Sequence, residues 1–139
     1  MDLFKKIKQN KKTFIIAEIS ANHKQKFANV IRLINHAVLA KVDAIKIQTY
    51  TPDTITLKTN KKDFRILDKK NNLYKKNLYD VFSEAYTPWK WQKKVFDYAK
   101  RKGLICFSSV FDESSVDFLS NIGVKAYKIS SFEITHHPL

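Results

Sequence analysis

A chain of 139 residues with 44% hydrophobic and 13% aromatic content can fill one ordinary core, which excludes a disordered chain and makes one domain, or part of one, the expectation. Its formal charge of +13, from 26 Lys+Arg against 13 Asp+Glu, raises nucleic acid or an anionic surface as a partner. The arginines are only Arg32, Arg65 and Arg101, whereas nucleic-acid grooves favour arginine forks between exposed aromatics; a solvated lysine face is the simpler reading, and no nucleic-acid partner is expected.

Residues 1–13, lysine-rich from Lys5 to Lys12, form a basic leader that runs straight into an apolar strand without an h-region or cleavage site. No apolar run approaches the roughly 20 residues of a membrane span, so a cytoplasmic protein is expected, with no membrane partner. Phe14 to Ile19, apolar and β-branched, predicts a first strand buried on both faces. Phe27, Val30, Ile31, Ile34 and Val38 then recur with helical period through about Leu39. Ala44 to Gln48 predicts a second strand, and a separation of about 30 residues is that of a βαβ unit with a right-handed crossover.

From Tyr50 to Tyr86 the periodicity lapses, apart from a helical patch near Leu78 to Ala85, and a loop of that length is usually functional. Thr87-Pro88 predicts the N-cap and first residue of a helix with Trp91, Val95, Tyr98 and Ala99 on its apolar face, stopped by Gly103 in a left-handed conformation. Leu104 to Ser108 predicts the third strand. Cys106 lies within it as the single cysteine, which excludes an internal disulfide and favours a buried structural thiol over a nucleophile. Asp112 caps a short helix carrying Val116 and Leu119 that ends near Gly123, and Lys125 to Ile129 predicts the fourth strand.

Strand and helix alternate without a hairpin signal, so the class is α/β with a parallel sheet, either a barrel or an open doubly wound sheet. With glycine only at positions 103 and 123, no glycine-rich turn follows the first strand and no dinucleotide fingerprint exists. Polar residues gather at the predicted C-terminal strand ends: Glu18, then Lys46 and Gln48, then Ser108 and Ser109, then Lys128, Ser130 and Ser131. In a barrel that rim is where separate strands converge on a substrate.

Alternation puts Ala44, Lys46 and Gln48 on one face and Ile45 and Ile47 on the other; Ala126, Lys128 and Ser130 likewise oppose Tyr127 and Ile129. Two inward lysines facing one glutamate leave positive charge for a ligand phosphate or carboxylate. The alternative is a structural ion pair between Glu18 and a lysine. Asn22 and His23 could reach over the same rim, although a loop histidine satisfied by hydrogen bonds accounts for His23 equally well. His36, His136 and His137 show no metal-ligand spacing, so no metal ligand is assigned, and Trp89 and Trp91 read as packing residues.

Five separated segments carry a family resemblance: Ala17 to His23 (AEISANH), Lys46 to Thr54 (KIQTYTPDT), Glu84 to Trp89 (EAYTPW), Phe107 to Glu113 (FSSVFDE) and Ala126 to Ile134 (AYKISSFEI). In order and spacing they resemble the N-terminal barrel region of the sialic acid synthases, most of all their pseudaminic acid branch, from about Phe14 to Leu139. The resemblance implies an incomplete (β/α)8 TIM-type barrel, about the first four strands, with residues 14–139 its N-terminal half. The later strands and a C-terminal antifreeze-like domain would lie outside the chain. It implies condensation of phosphoenolpyruvate with an open-chain diacetamido-trideoxy hexose, giving a nonulosonic acid and phosphate.

By the same resemblance Glu18 is the acid/base or electrostatic residue, while Lys46, Ser109, Lys128 and Ser131 bind phosphoenolpyruvate, and Gln48 and Glu133 face the substrates or orient the sugar. It further implies a divalent metal (Mn, Mg or Co) whose ligands lie outside this chain, a homodimer for the full-length family, and an inactive fragment. Lys41-Val42 at a helix end and Val110 after the serine pair depart from the family pattern and bear on loop geometry. Other readings are an N-acetylneuraminate or legionaminate synthase fragment, another phosphate-handling barrel enzyme such as an aldolase, and a non-catalytic basic binding module.

Overall fold

The computed structural model describes residues 3–9 and 11–139. Four strands form one parallel sheet: β1 (Ile16–Glu18), β2 (Ala44–Thr49), β3 (Ile105–Val110) and β4 (Tyr127–Ile129), ordered as in the sequence. Between them run α-helices, and the incomplete barrel expected from the sequence is the architecture found. Helix α1 (Leu3–Gln9) precedes the sheet, and α2 (Phe27–Leu39) makes the first crossover. The second connection holds α3 (Pro52–Ile55), α4 (Leu78–Ala85) and α5 (Trp89–Arg101), and the third holds α6 (Glu113–Asn121).

The apolar periodicity explains which faces meet. Val30, Ile34 and Ala37 of α2 and Val95 and Ala99 of α5 pack on the outward-facing Ile45 and Ile47, with Ile19 and Leu104 completing this layer. A second cluster, Ala44, Ile105, Phe107 and Ala126, lines the inner face of the sheet. Leu3 of α1 closes over that inner cluster, and Lys6 bonds the Asp43 carbonyl at 3.3 Å. Within the basic leader the structure thus adds a helix, whose Leu3 seals the N-terminal end of the sheet. Val110, Leu119 and Val124 form a third cluster, where α6 covers β3.

Several boundaries move from expectation. β3 runs two residues further, to Val110, and starts at Ile105, because Leu104 belongs to the turn in which its N–H reaches the Ala99 carbonyl at 3.0 Å. β1 is shorter than Phe14 to Ile19 and, as an edge strand with Ile15 and Ile16 exposed, is not buried on both faces, and β4 begins only at Tyr127. The flanking residues of β1 still bond as strand: the Ile19 N–H donates to Lys46 O at 3.1 Å and Ile15 O accepts from Ala44 N at 3.2 Å. Pro88, not Thr87, is the N-cap of α5, since the Thr87 hydroxyl is engaged by His23.

The helix stops fall where the sequence puts them. Gly103 and Gly123 have φ of +78° and +85°, the left-handed region glycine enters without strain. Asp112 caps α6 by accepting from the Ser115 N–H at 3.2 Å. At the end of α2 it is Lys41 that turns left-handed, with φ of +54°, so the helix closes there without a glycine.

Candidate active site

Register decides which side chains share the inner face. Glu18 lies opposite Lys46, Gln48 opposite Ser109, and Ser109 opposite Lys128. Because side chains alternate along each strand, Glu18, Lys46, Gln48, Ser109 and Lys128 all project inward at the C-terminal end. Ser108 and Thr49, one residue away, project outward under α5.

The contacts follow this register. Lys46 Nζ forms an ion pair with Glu18 Oε2 and donates to Ser109 Oγ at 3.1 Å, with the lysine side chain only 16% exposed. Burial lowers the Lys46 pKa from its ordinary value, and the charge of Lys128 lowers it further. The second lysine is therefore close enough to repel the first, while itself remaining exposed. The ion pair that the sequence offered as an alternative to a binding site exists between Glu18 and Lys46, and Lys128 takes no part in it.

Ser20 was not singled out from the sequence. Its backbone N–H donates to Glu18 Oε1 at 3.0 Å and its hydroxyl bonds the same oxygen. The signal was a hydroxyl two residues beyond an acid at a strand end, where the chain turns back on itself. Ser131 stands exposed just before the 3₁₀ turn Phe132–Thr135, and Glu133 within that turn keeps Oε2 buried without a hydrogen-bond partner. Gln48 is half-buried on the inner face.

His23 departs from the rim. It is 1% exposed, its Nδ1 accepts from the Gln25 N–H at 3.0 Å, and its Nε2 meets Thr87 Oγ1 at 3.0 Å. Burial lowers its pKa, and the ring stands edge-on to Trp91, so it is the satisfied loop histidine of the two readings. The tryptophans pack as expected: Trp91 on Phe27, and Trp89 stacked on Phe118 with its Nε1–H bonded to the Tyr50 carbonyl at 3.1 Å. Cys106 faces the helix layer, and burial pushes its thiol pKa up, the state of an inert thiol.

Among the described residues no group of three or more His, Cys, Asp or Glu side chains is placed to hold a metal ion. No described helix is long and apolar enough to cross a membrane. A cavity of about 680 Å³ lies at the opposite, N-terminal end of β3 and β4 and is lined by none of the candidate residues.

Two lysines, a glutamate and a serine thus share the inner face at the C-terminal rim of a parallel α/β sheet of barrel type. Residues 33–139 match the NeuB family, and the chain belongs to that family. It is 46% identical over 125 residues to the pseudaminic acid synthase of Campylobacter jejuni, covering 89% of this chain and 36% of that protein. To the pseudaminic acid synthase of Helicobacter pylori it is 38% identical over 122 residues, covering 86% of this chain and 35% of that protein. Among solved structures, the N-acetylneuraminic acid synthetase of Leptospira borgpetersenii, in complex with citrate, matches with a TM-score of 0.70 at 26% identity, over 90% of this chain and 38% of that one. The chain thus spans about a third of the length of the curated relatives it matches.

Proposed function

We propose that this chain forms the phosphoenolpyruvate-binding part of a pseudaminic acid synthase, with residues 14–139 the N-terminal section of its barrel. The observation that carries the reading is Lys46, paired with Glu18 and bonded to Ser109, with the charge of Lys128 beside it, at the C-terminal ends of parallel strands. Phosphoenolpyruvate brings a phosphate and a carboxylate, and two ammonium groups with one counter-charge suit it. The higher identity to the two pseudaminic acid synthases than to the N,N'-diacetyllegionaminic acid synthase of Legionella pneumophila, at 34%, favours the pseudaminic branch.

In the reaction so proposed, C3 of phosphoenolpyruvate attacks the aldehyde carbon of an open-chain diacetamido sugar, water adds at C2, and phosphate leaves. Lys46, Lys128, Ser109 and Ser131 hold the anionic groups. Glu18, fixed by Lys46 and by both donors of Ser20, steadies positive charge developing at C2 or moves a proton there. Gln48 and Glu133 orient the sugar.

The test is titration of phosphoenolpyruvate into the purified chain, followed by ³¹P NMR and calorimetry. Lys46→Ala and Lys128→Ala should each weaken binding by about tenfold or more. Unchanged affinity in either variant would remove the basis of the reading. Salt-sensitive polynucleotide binding in place of phosphoenolpyruvate binding would favour a basic binding module.

A further inference from the structure

Behind the rim, on the outward face of the same strands, runs a continuous chain of buried polar groups that the anion site does not use. His23, Thr87, Gln92, Thr49 and Ser108 are each no more than 2% exposed. Because His23 Nδ1 accepts from Gln25 N–H, the neutral ring carries its proton on Nε2 and donates to Thr87 Oγ1. The Thr87 carbonyl accepts from Gln92 Nε2 at 3.2 Å, and Gln92 Oε1 accepts from the Thr49 hydroxyl at 2.7 Å. Thr49 Oγ1 has then spent its proton, so across the 2.7 Å contact the donor is Ser108, whose single hydroxyl proton is shared with the Ser109 and Ile47 carbonyls at 3.0 and 3.3 Å.

Of the strands bearing a site residue, β2 and β3 are tied into this chain, as is the loop after β1, whereas β4 is not. Thr49 follows Gln48 on β2, and Ser108 precedes Ser109 on β3. His23 sits in the loop that follows Glu18 and Ser20, which holds Ala21, Lys24 and Gln25 at positive φ. Such backbone persists only when its surroundings over-determine it. Here Gln25 Nε2 bonds Ser83 O at 2.7 Å, Asn29 Nδ2 bonds His23 O at 3.0 Å, and the imidazole fastens the loop to Thr87.

An apolar filling would bury the outer face equally well, since Ile45 and Ile47 do so one turn of the pleat away. Apolar contact is non-directional and does not resist small slips along a strand, whereas a fully satisfied buried network fixes one register. We propose that Gln92 and His23 are positioning residues, which through this buried chain set the relative placement of Glu18, Lys46 and Ser109 at the anion site. The proposal rests on the reading of the rim as a phosphoenolpyruvate site.

Gln92→Leu and Gln92→Glu, each in the full 139-residue chain, test it by phosphoenolpyruvate titration, with Lys46→Ala alongside. Gln92→Leu leaves Thr49 and the Thr87 carbonyl without their partner and should weaken binding about tenfold with the far-UV circular dichroism unchanged. Gln92→Glu reproduces both bonds only when the buried carboxyl is protonated, so its affinity should approach that of the parent as pH falls and drop as pH rises. Should Gln92→Leu not fold, the pH profile of Gln92→Glu decides alone. If Lys46→Ala weakens binding while Gln92→Glu tracks the parent at every pH, the positioning role is refuted and the anion site stands. If Lys46→Ala leaves affinity unchanged, the site reading fails and the proposal fails with it.

Discussion

Glu18→Gln separates what the Glu18 carboxylate does for the fold from what it does to a ligand. An anion seated beside Lys46 and Lys128 would stand roughly 6 Å from that carboxylate, where like charges repel by about 2.8 kcal/mol at an effective dielectric of about 20. The Glu18 side chain is 44% exposed, and solvent and salt reduce the figure by roughly half. Phosphoenolpyruvate affinity should therefore rise about tenfold, equivalent to about 1.4 kcal/mol. Folding stability should move the other way, by about 1 kcal/mol, because Lys46 loses its partner while remaining mostly buried. Calorimetric titration at fixed ionic strength reads the first change and urea unfolding the second. Affinity that falls or stays level would show that no anion sits against Lys46, which refutes the electrostatic reasoning.

Within α2, Ile34→Ala should cost about 3 kcal/mol: three carbons at about 0.8 kcal/mol each, plus a cavity the neighbours only partly fill. Leu39→Ala on the same helix, where Leu39 is 77% exposed, should cost about 0.5 kcal/mol or less; equal urea midpoints for the two variants would contradict the packing described. The buried His23 makes stability pH-dependent with a definite sign. Its folded pKa lies below 6.5, so as pH falls through that value the unfolded chain takes up the proton first. Stability should thus decline between pH 6.5 and the depressed folded value, then level off, and comparing chemical unfolding of the wild type with His23→Gln across that range isolates the contribution.

The strand–helix alternation is legible in the sequence because the crossover helices carry apolar stripes and alternation along β2 turns Ile45 and Ile47 outward and Lys46 inward. Asp112, Gly103 and Gly123 could be read as caps because their chemistry is local. Contacts between distant segments were not legible. Thr87 reads as an N-cap beside Pro88, yet its hydroxyl bonds a histidine 64 residues away. Helix α1 escaped notice because lysines dominate its composition, whereas burial of the single Leu3 ties it to the sheet. Gln92 sits three residues before Val95 and seven before Ala99, squarely on the buried stripe of α5, but amide side chains carry no apolar signal.

The pairs Gln48-Thr49 and Ser108-Ser109 show why polar strand ends are ambiguous in sequence. All four side chains are hydrogen-bonding groups at the same end of neighbouring strands, and composition does not distinguish them. Alternation does: Gln48 and Ser109 turn toward the inner face with Lys46, while Thr49 and Ser108 turn toward Gln92. A shift of one residue in β3 would exchange the roles of the two serines, aiming Ser108 at Lys46 and leaving Ser109 against the helix layer. Either serine can donate one hydrogen bond, so the chemistry of the residues does not choose between the two registers. The choice falls to the flanking apolar residues, Phe107 needing the inner cluster and Val110 the outer, and to the directed bonds of the buried chain. The geometry of this rim and strand register are in that sense one property, which is why a substitution on the outward face is expected to be felt on the inward one.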